Sequence, residues 1–94
     1  VGFEWDSGNG RKSEAKHGVT KVEAEEIFLN QPLLINLDQK HSDTEFRYLA
    51  LGKTNKLRVL TVIFTLRQQN TLIRIISARD QHRKERLLYD QTNK

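Results

Sequence analysis

Leu57-Arg58-Val59-Leu60-Thr61-Val62-Ile63-Phe64-Thr65-Leu66 is the stretch that decides the fold. β-Branched or apolar residues fill every position but Arg58, and neither glycine nor proline interrupts it, so it reads as the strongest strand of the chain. Successive side chains of a strand point to opposite faces. Leu60, Val62, Phe64 and Leu66 therefore point one way, and Thr61, Thr65 and Arg67 the other. The apolar set calls for a layer of helices against it; the polar set makes a second face of different chemistry.

Working outward, Lys53-Thr54-Asn55-Lys56 is a tight turn, and residues 45–52 before it read as the preceding strand. Further upstream, Leu33, Ile35 and Leu37 alternate with polar or opposite-facing residues, and a polar loop follows over residues 39–43. Downstream, residues 67–70 turn the chain into a strand over 71–78, and a last helix over about 80–89 is anchored by Leu87 and Leu88. Short turns between alternating runs predict an antiparallel meander.

The N-terminal third is patterned differently. Phe3-Glu4-Trp5 is a short strand, after which Asp6 or Ser7 caps a first helix that ends at Lys16-His17-Gly18. Thr20-Lys21-Val22-Glu23 has the capping-box pattern, with Val19 and Ala24 as a staple. The second helix is expected to bury Val22, Ile27 and Phe28 and to stop at Asn30-Gln31-Pro32. The fold class is α+β: one domain over residues 1–94, N-terminal helices packed on one face of an antiparallel meander sheet, and a C-terminal helix.

Composition narrows the function. A net charge of +4 favours an anionic partner, nucleic acid first, though a basic surface also serves solubility alone. With no cysteine there is no disulfide framework, thiolate metal site or cysteine nucleophile, which suits a reducing, cytoplasmic setting. No apolar run reaches the roughly 18 residues that span a bilayer, so no membrane association is expected. His17, His41 and His82 are too far apart for a compact metal-ligand motif, and neither a phosphate-binding glycine loop nor a nucleophile elbow is present. No metal and no cofactor is expected.

Strand parity places Glu45 and Arg47 together, and Ser77 with Arg79, beside the Thr61–Arg67 face; the last helix brings Glu85, Arg86 and Tyr89 over its edge. Arginines beside a carboxylate and a tyrosine are what metal-free RNA cleavage uses. A base takes the proton of the 2′-hydroxyl, and fixed cations stabilise the charge that develops on phosphate. The candidate residues are Arg67 and Arg79 for phosphate, Glu45 or His41 for proton abstraction, Arg47 to orient the carboxylate and Tyr89 to position the scissile group. Spacing alone equally allows salt bridges on a solvated sheet face. Phe3 and Trp5 at strand spacing fit core better than base stacking.

The ordered words of the chain carry a further signal. Phe3-Glu4-Trp5-Asp6, Lys16-His17-Gly18-Val19, Glu23-Ala24 with Phe28, His41-Ser42 with Glu45 and Arg47, Thr65 and Arg67, Arg74-Ile75-Ile76-Ser77-Ala78-Arg79, and Glu85-Arg86 with Tyr89 follow one another in an order that resembles the BrnT toxin family. Relatives often carry a lysine and an asparagine where this chain has Asn9 and Ser13. The resemblance implies a RelE/ParE-like fold and an endoribonuclease toxin of a bacterial type II toxin–antitoxin pair acting on RNA. It also implies a cognate ribbon-helix-helix antitoxin (BrnA-like), with operator DNA bound only through the antitoxin complex. The alternative from the residues alone is a non-catalytic nucleic-acid-binding or antitoxin-binding regulatory module.

Overall fold

The computed structural model describes residues 2–6, 8–41 and 45–92, with His41 described in its backbone only. In chain order the elements are β1 (Gly2–Trp5), α1 (Asn9–His17), α2 (Lys21–Glu26), β2 (Leu34–Leu37), β3 (Tyr48–Lys53), β4 (Val59–Arg67), β5 (Leu72–Asp80) and α3 (Arg83–Thr92). Short 3-10 turns at Ile27–Leu29 and Gln39–His41 extend α2 and follow β2.

The five strands form one sheet in the order β1-β5-β4-β3-β2. β2 to β5 are the antiparallel meander that the turns predict. β1 departs from that expectation. It lies parallel to β5, pairing Gly2–Trp5 with Leu72–Ile75, so the sheet is mixed. The sequence of a strand this short holds nothing about its direction; its partner is found only when the rest of the sheet exists.

The face of β4 carrying Leu60, Val62 and Phe64 is the core, closed by Val19, Ala24 and Ile27 from the helical layer and by Ala50, Ile75 and Ala78 from neighbouring strands. Phe28 bridges Phe3 and Phe64 at ring-centroid separations of 5.6 and 5.2 Å, the second edge-on, and Tyr48 stacks on Phe64 at 5.4 Å. Trp5 donates its indole N–H to Glu25 at 2.9 Å. Both N-terminal aromatics are thus engaged in packing. Gly52 lets the second helical segment come close: a Cβ there would lie 2.8 Å from Ile27 Cβ.

Helix boundaries follow local chemistry. The Thr20 hydroxyl accepts from the Glu23 N–H at 3.1 Å while the Glu23 carboxylate accepts from the Thr20 N–H at 3.0 Å, completing the capping box. Gly18 adopts the left-handed conformation (φ 66°) that ends α1. Among the described residues no side chain caps the start of α1: Gly8 stands at the cap, and the Asp6 carboxylate pairs with Arg74, while Ser7, the other expected cap, lies outside the described residues. α1 lies along the margin of β5 beyond the last β1 pairing, where the Ser13 hydroxyl accepts the Ala78 N–H at 3.2 Å. A helix side chain thereby satisfies a strand edge.

Further expectations are corrected. Val22 is 64% exposed, because the buried stripe of α2 is Ala24 and Ile27, three residues apart, and Val22 lies on the other side. Leu87 and Leu88 are also exposed, and Tyr89 is the buried anchor of α3. The strand expected over residues 45–52 begins at Tyr48, so Glu45 and Arg47 precede it and strand parity does not place Glu45. The central strand itself starts at Val59, since Leu57 turns left-handed (φ 69°) inside a loop closed by the Thr54 N–H on the Arg58 carbonyl.

Candidate functional site

The second face of the sheet is half covered. Thr61 and Arg79 are cross-strand partners on it, and α3 lies over them. The Thr61 hydroxyl donates to Glu85 at 2.8 Å, and the Arg79 guanidinium grips the same carboxylate through two bonds of 2.8 and 3.0 Å. The His82 N–H adds a third kind of donor at 2.8 Å. Burial by itself pushes the Glu85 carboxyl up, but the hydrogen bonds from Arg79, His82 and Thr61 outweigh it and hold the pKa down to about 2. Glu85 is therefore a fixed anion, far too weak a base to take a proton near neutrality. One turn on, Tyr89 is buried with its hydroxyl donated to the Pro32 carbonyl at 2.6 Å, and burial raises its pKa. This half of the face is a clamp that docks α3.

The other half is open. Arg67, at the end of β4, meets Glu45 at 3.2 Å, and both side chains keep about two-fifths of their exposure (38% and 40%). Two residues back on the same face, the Thr65 hydroxyl is buried, and neither it nor Arg67 Nε has a hydrogen-bond partner among the described residues. Unpartnered buried donors are uncommon and costly, roughly 1–3 kcal/mol each. Arg74, the cross-strand neighbour of Thr65, is held by Glu4 at 3.5 Å and by Asp6. The floor thus combines an exposed arginine–carboxylate pair, two unsatisfied donors and a second, neutralised arginine.

The sequence-derived residues fall into two groups. Arg67 and Glu45 come together, through an ion pair rather than through the expected strand. Arg79 and Tyr89 belong to the α3 clamp at the opposite end of β4, roughly 20 Å away along the strand. Three of the five donors of Arg79 are used on Glu85 and the Asp80 carbonyl. Arg47 stands just before β3, where its carbonyl accepts from the Asp38 N–H at 2.7 Å. The side chain of His41 lies outside the described residues. Thr65 and Arg74, named above by alternation and by the family resemblance but given no role, join the site. Alternation places Thr65 on this face, but only burial shows its hydroxyl unpartnered. Among the described residues no group of three or more histidine, cysteine, aspartate or glutamate side chains could hold a metal ion.

Residues 5–85 match the family model for ribonuclease toxin, BrnT, of type II toxin–antitoxin system. The chain belongs to that family. A crystal structure of the Brucella abortus ribonuclease toxin BrnT is similar, with a TM-score of 0.64 and 25% identity, covering 88% of this chain and 99% of that one. A comparison with curated proteins finds no match. As a BrnT-family chain it is a ribonuclease toxin by class, and its mixed five-stranded sheet with three helices is the BrnT-like α+β fold. No helix among the described residues is long and apolar enough to cross a membrane.

Proposed function

We propose that this BrnT-family toxin is an endoribonuclease that cleaves RNA by attack of the substrate's own 2′-hydroxyl, without a metal ion. The observation that carries the reading is the Arg67–Glu45 pair on the open face, beside the unpartnered Thr65 hydroxyl and Arg67 Nε. Glu45 or His41 takes the 2′-hydroxyl proton. The freed oxygen attacks phosphorus, the bond to the 5′-oxygen breaks, and the leaving oxygen receives a proton, giving a 2′,3′-cyclic phosphate and a 5′-hydroxyl end. Arg67, always charged and able to hold phosphate through two N–H groups, stabilises the extra negative charge. Arg47 orients the carboxylate. Arg79, gripped by Glu85 at the far end of β4, offers its remaining donors to a more distant phosphate of the bound strand rather than to the one at Arg67, and holds α3 and Tyr89 beside the face.

Glu45 sits on the open half of the face, so a protein segment lying over that half blocks RNA entry. That is the expected action of a cognate ribbon-helix-helix antitoxin, which also carries the complex to operator DNA. We assign the arrangement of α1 and α2 on one face and α3 on the other to the RelE/ParE-like class.

The test is purified protein on end-labelled RNA in excess EDTA, against a DNA strand of the same sequence. RNA alone should be cut, with a cyclic phosphate end. Arg67→Ala should lower the rate on the order of 100-fold with unchanged circular dichroism. Cleavage of DNA, or RNA cleavage stopped by EDTA, overturns the mechanism; tight RNA binding without cleavage favours the non-catalytic module.

A further inference from the structure

Away from the Arg67 floor, a cleft of about 190 Å³ opens between α1 and β5, lined by Lys12, Ser13, Lys16, His17, Ile76 and Ser77. Its walls carry two lysines and a histidine and not one carboxylate. Lys12 and Lys16 are four residues apart on one helix, a like-charge spacing that weakens an isolated helix by about 0.2–0.5 kcal/mol. Among the described residues neither lysine has an ion-pair partner closer than 4 Å. The neighbouring acids are occupied elsewhere. Asp80, which feels the field of His17, is bound by Arg58 through two bonds of 2.8 and 3.1 Å, and Glu14 lies about 200° around the helix from both Lys12 and Lys16.

The cleft is also rigidly built. The Ser13 hydroxyl fixes α1 to the Ala78 N–H, and Arg58 holds the carbonyls of His17 and Gly18 at 3.3 and 2.9 Å. On the strand side the register shifts at this point: Ile63 pairs with Ser77 but Phe64 pairs with Ile75, so Ile76 is an extra residue. Such a bulge re-aims neighbouring side chains and marks a strand margin put to use. Ser77 shares the face of Arg79 and Thr61 by register, so the cleft meets the margin of the proposed catalytic face. From Leu72, the cross-strand partner of Arg67, to Ser77 is roughly 16 Å along β5, so the two anchors are separated by more than one nucleotide.

We infer that this cleft is a second phosphate-binding subsite, in which Lys12, Lys16 and His17, with the Ser77 hydroxyl, hold a backbone phosphodiester of the RNA strand more than one nucleotide away from the one at Arg67. The inference rests on the reading of the open face as an RNA site. It gives the toxin two separated anchors on one strand, one beside the chemistry and one that sets how the strand crosses the sheet margin. Its basis is the shape and charge of the cleft, independent of which group acts as base.

The experiment titrates the whole protein by amide NMR with a short 2′-O-methyl oligoribonucleotide, which binds like RNA but lacks the nucleophile. Inorganic phosphate and hexaglutamate are the other arms. The oligonucleotide should shift Ser13, Lys16, His17 and Ser77 saturably, whereas hexaglutamate should not. Lys12→Gln/Lys16→Gln should weaken oligonucleotide binding and lower the slope of log Kd against log salt by about 1.4, near 0.7 for each lysine that no longer neutralises a phosphate. Arg11→Gln/Lys84→Gln, with the same loss of charge outside the cleft, should leave that slope unchanged. Equal effects of the two double variants overturn the subsite, as does saturation by phosphate or hexaglutamate but not by the oligonucleotide. These readouts need no turnover: a protein that cuts no RNA yet shows the lysine-dependent slope keeps the subsite and loses the nuclease reading. One whose cleavage needs Arg67 but whose binding ignores the lysines does the reverse.

Discussion

Replacing Glu85 by glutamine removes one charge from the clamp that docks α3 and leaves its shape almost unchanged. The Glu85 side chain is 18% exposed and Arg79 is 20% exposed, so the pair is only partly screened by water. Holding a carboxyl down from its ordinary 4.5 to about 2 corresponds to a ceiling of about 3.4 kcal/mol of folded-state preference for the ionised form. Glutamine keeps one acceptor for Arg79 or Thr61, and the residual exposure screens the charge. The expected cost at pH 7 is therefore about 2 kcal/mol, or roughly 10 °C in Tm for a chain of this size. The folded-state pKa is depressed, so the stabilisation is complete above the unfolded pKa near 4.5 and is lost as pH falls toward 2. Urea unfolding of both proteins at pH 7, 4 and 3 should show the difference shrinking steadily with acid. A difference that is the same at pH 7 and pH 3, or an E85Q protein as stable as the parent at pH 7, would refute the clamp.

Other substitutions test the parts separately. Thr20→Ala breaks the capping box and should cost about 1 kcal/mol in urea unfolding with no change in RNA cleavage. Gly52→Ala drives a methyl group against Ile27 and should lower stability by about 1–3 kcal/mol, read as a fall in Tm; an unchanged Tm would mean the helical segment moves away freely. Tyr89→Phe loses the bond to the Pro32 carbonyl and should cost about 1 kcal/mol. Its cleavage rate should stay within about threefold of the parent if Tyr89 serves mainly to seat α3, and a loss approaching 100-fold would place the hydroxyl in the chemistry.

What the sequence made legible was whatever local physics decides. The alternation of Leu60, Val62 and Phe64 against Thr61, Thr65 and Arg67 gave the two faces of the sheet. Thr20-x-x-Glu23 and Gly18 gave the helix boundaries because a cap is satisfied within a few residues. What remained hidden depends on distant partners. Arg58 looked like a charge at the start of a strand, yet it joins Glu23, Asp80 and two carbonyls at the end of α1. The site was legible in part for the same reason. Arg67 faces where alternation puts it, and Glu45 reaches it from a segment where alternation does not apply. The commitment of Arg79 to Glu85 could not be seen without the path of α3, since two residues six apart across a turn and a helix start have no fixed geometry in sequence.

The parallel seat of β1 makes completion of the sheet a late event. Gly2 pairs with Leu72 and Trp5 with Ile75, so the strand synthesised early in this chain finds its partner only after the meander between them has formed. Pairings of such long sequence separation form slowly and contribute little until the intervening loops are closed. Until β1 arrives, the margin of β5 from Leu72 to Ile75 is an unpaired template, and Phe3 and Trp5 remain outside the core. A chain trimmed of those few residues should therefore fail in a particular way: it should keep a meander with an adhesive edge and self-associate, rather than simply become a less stable monomer.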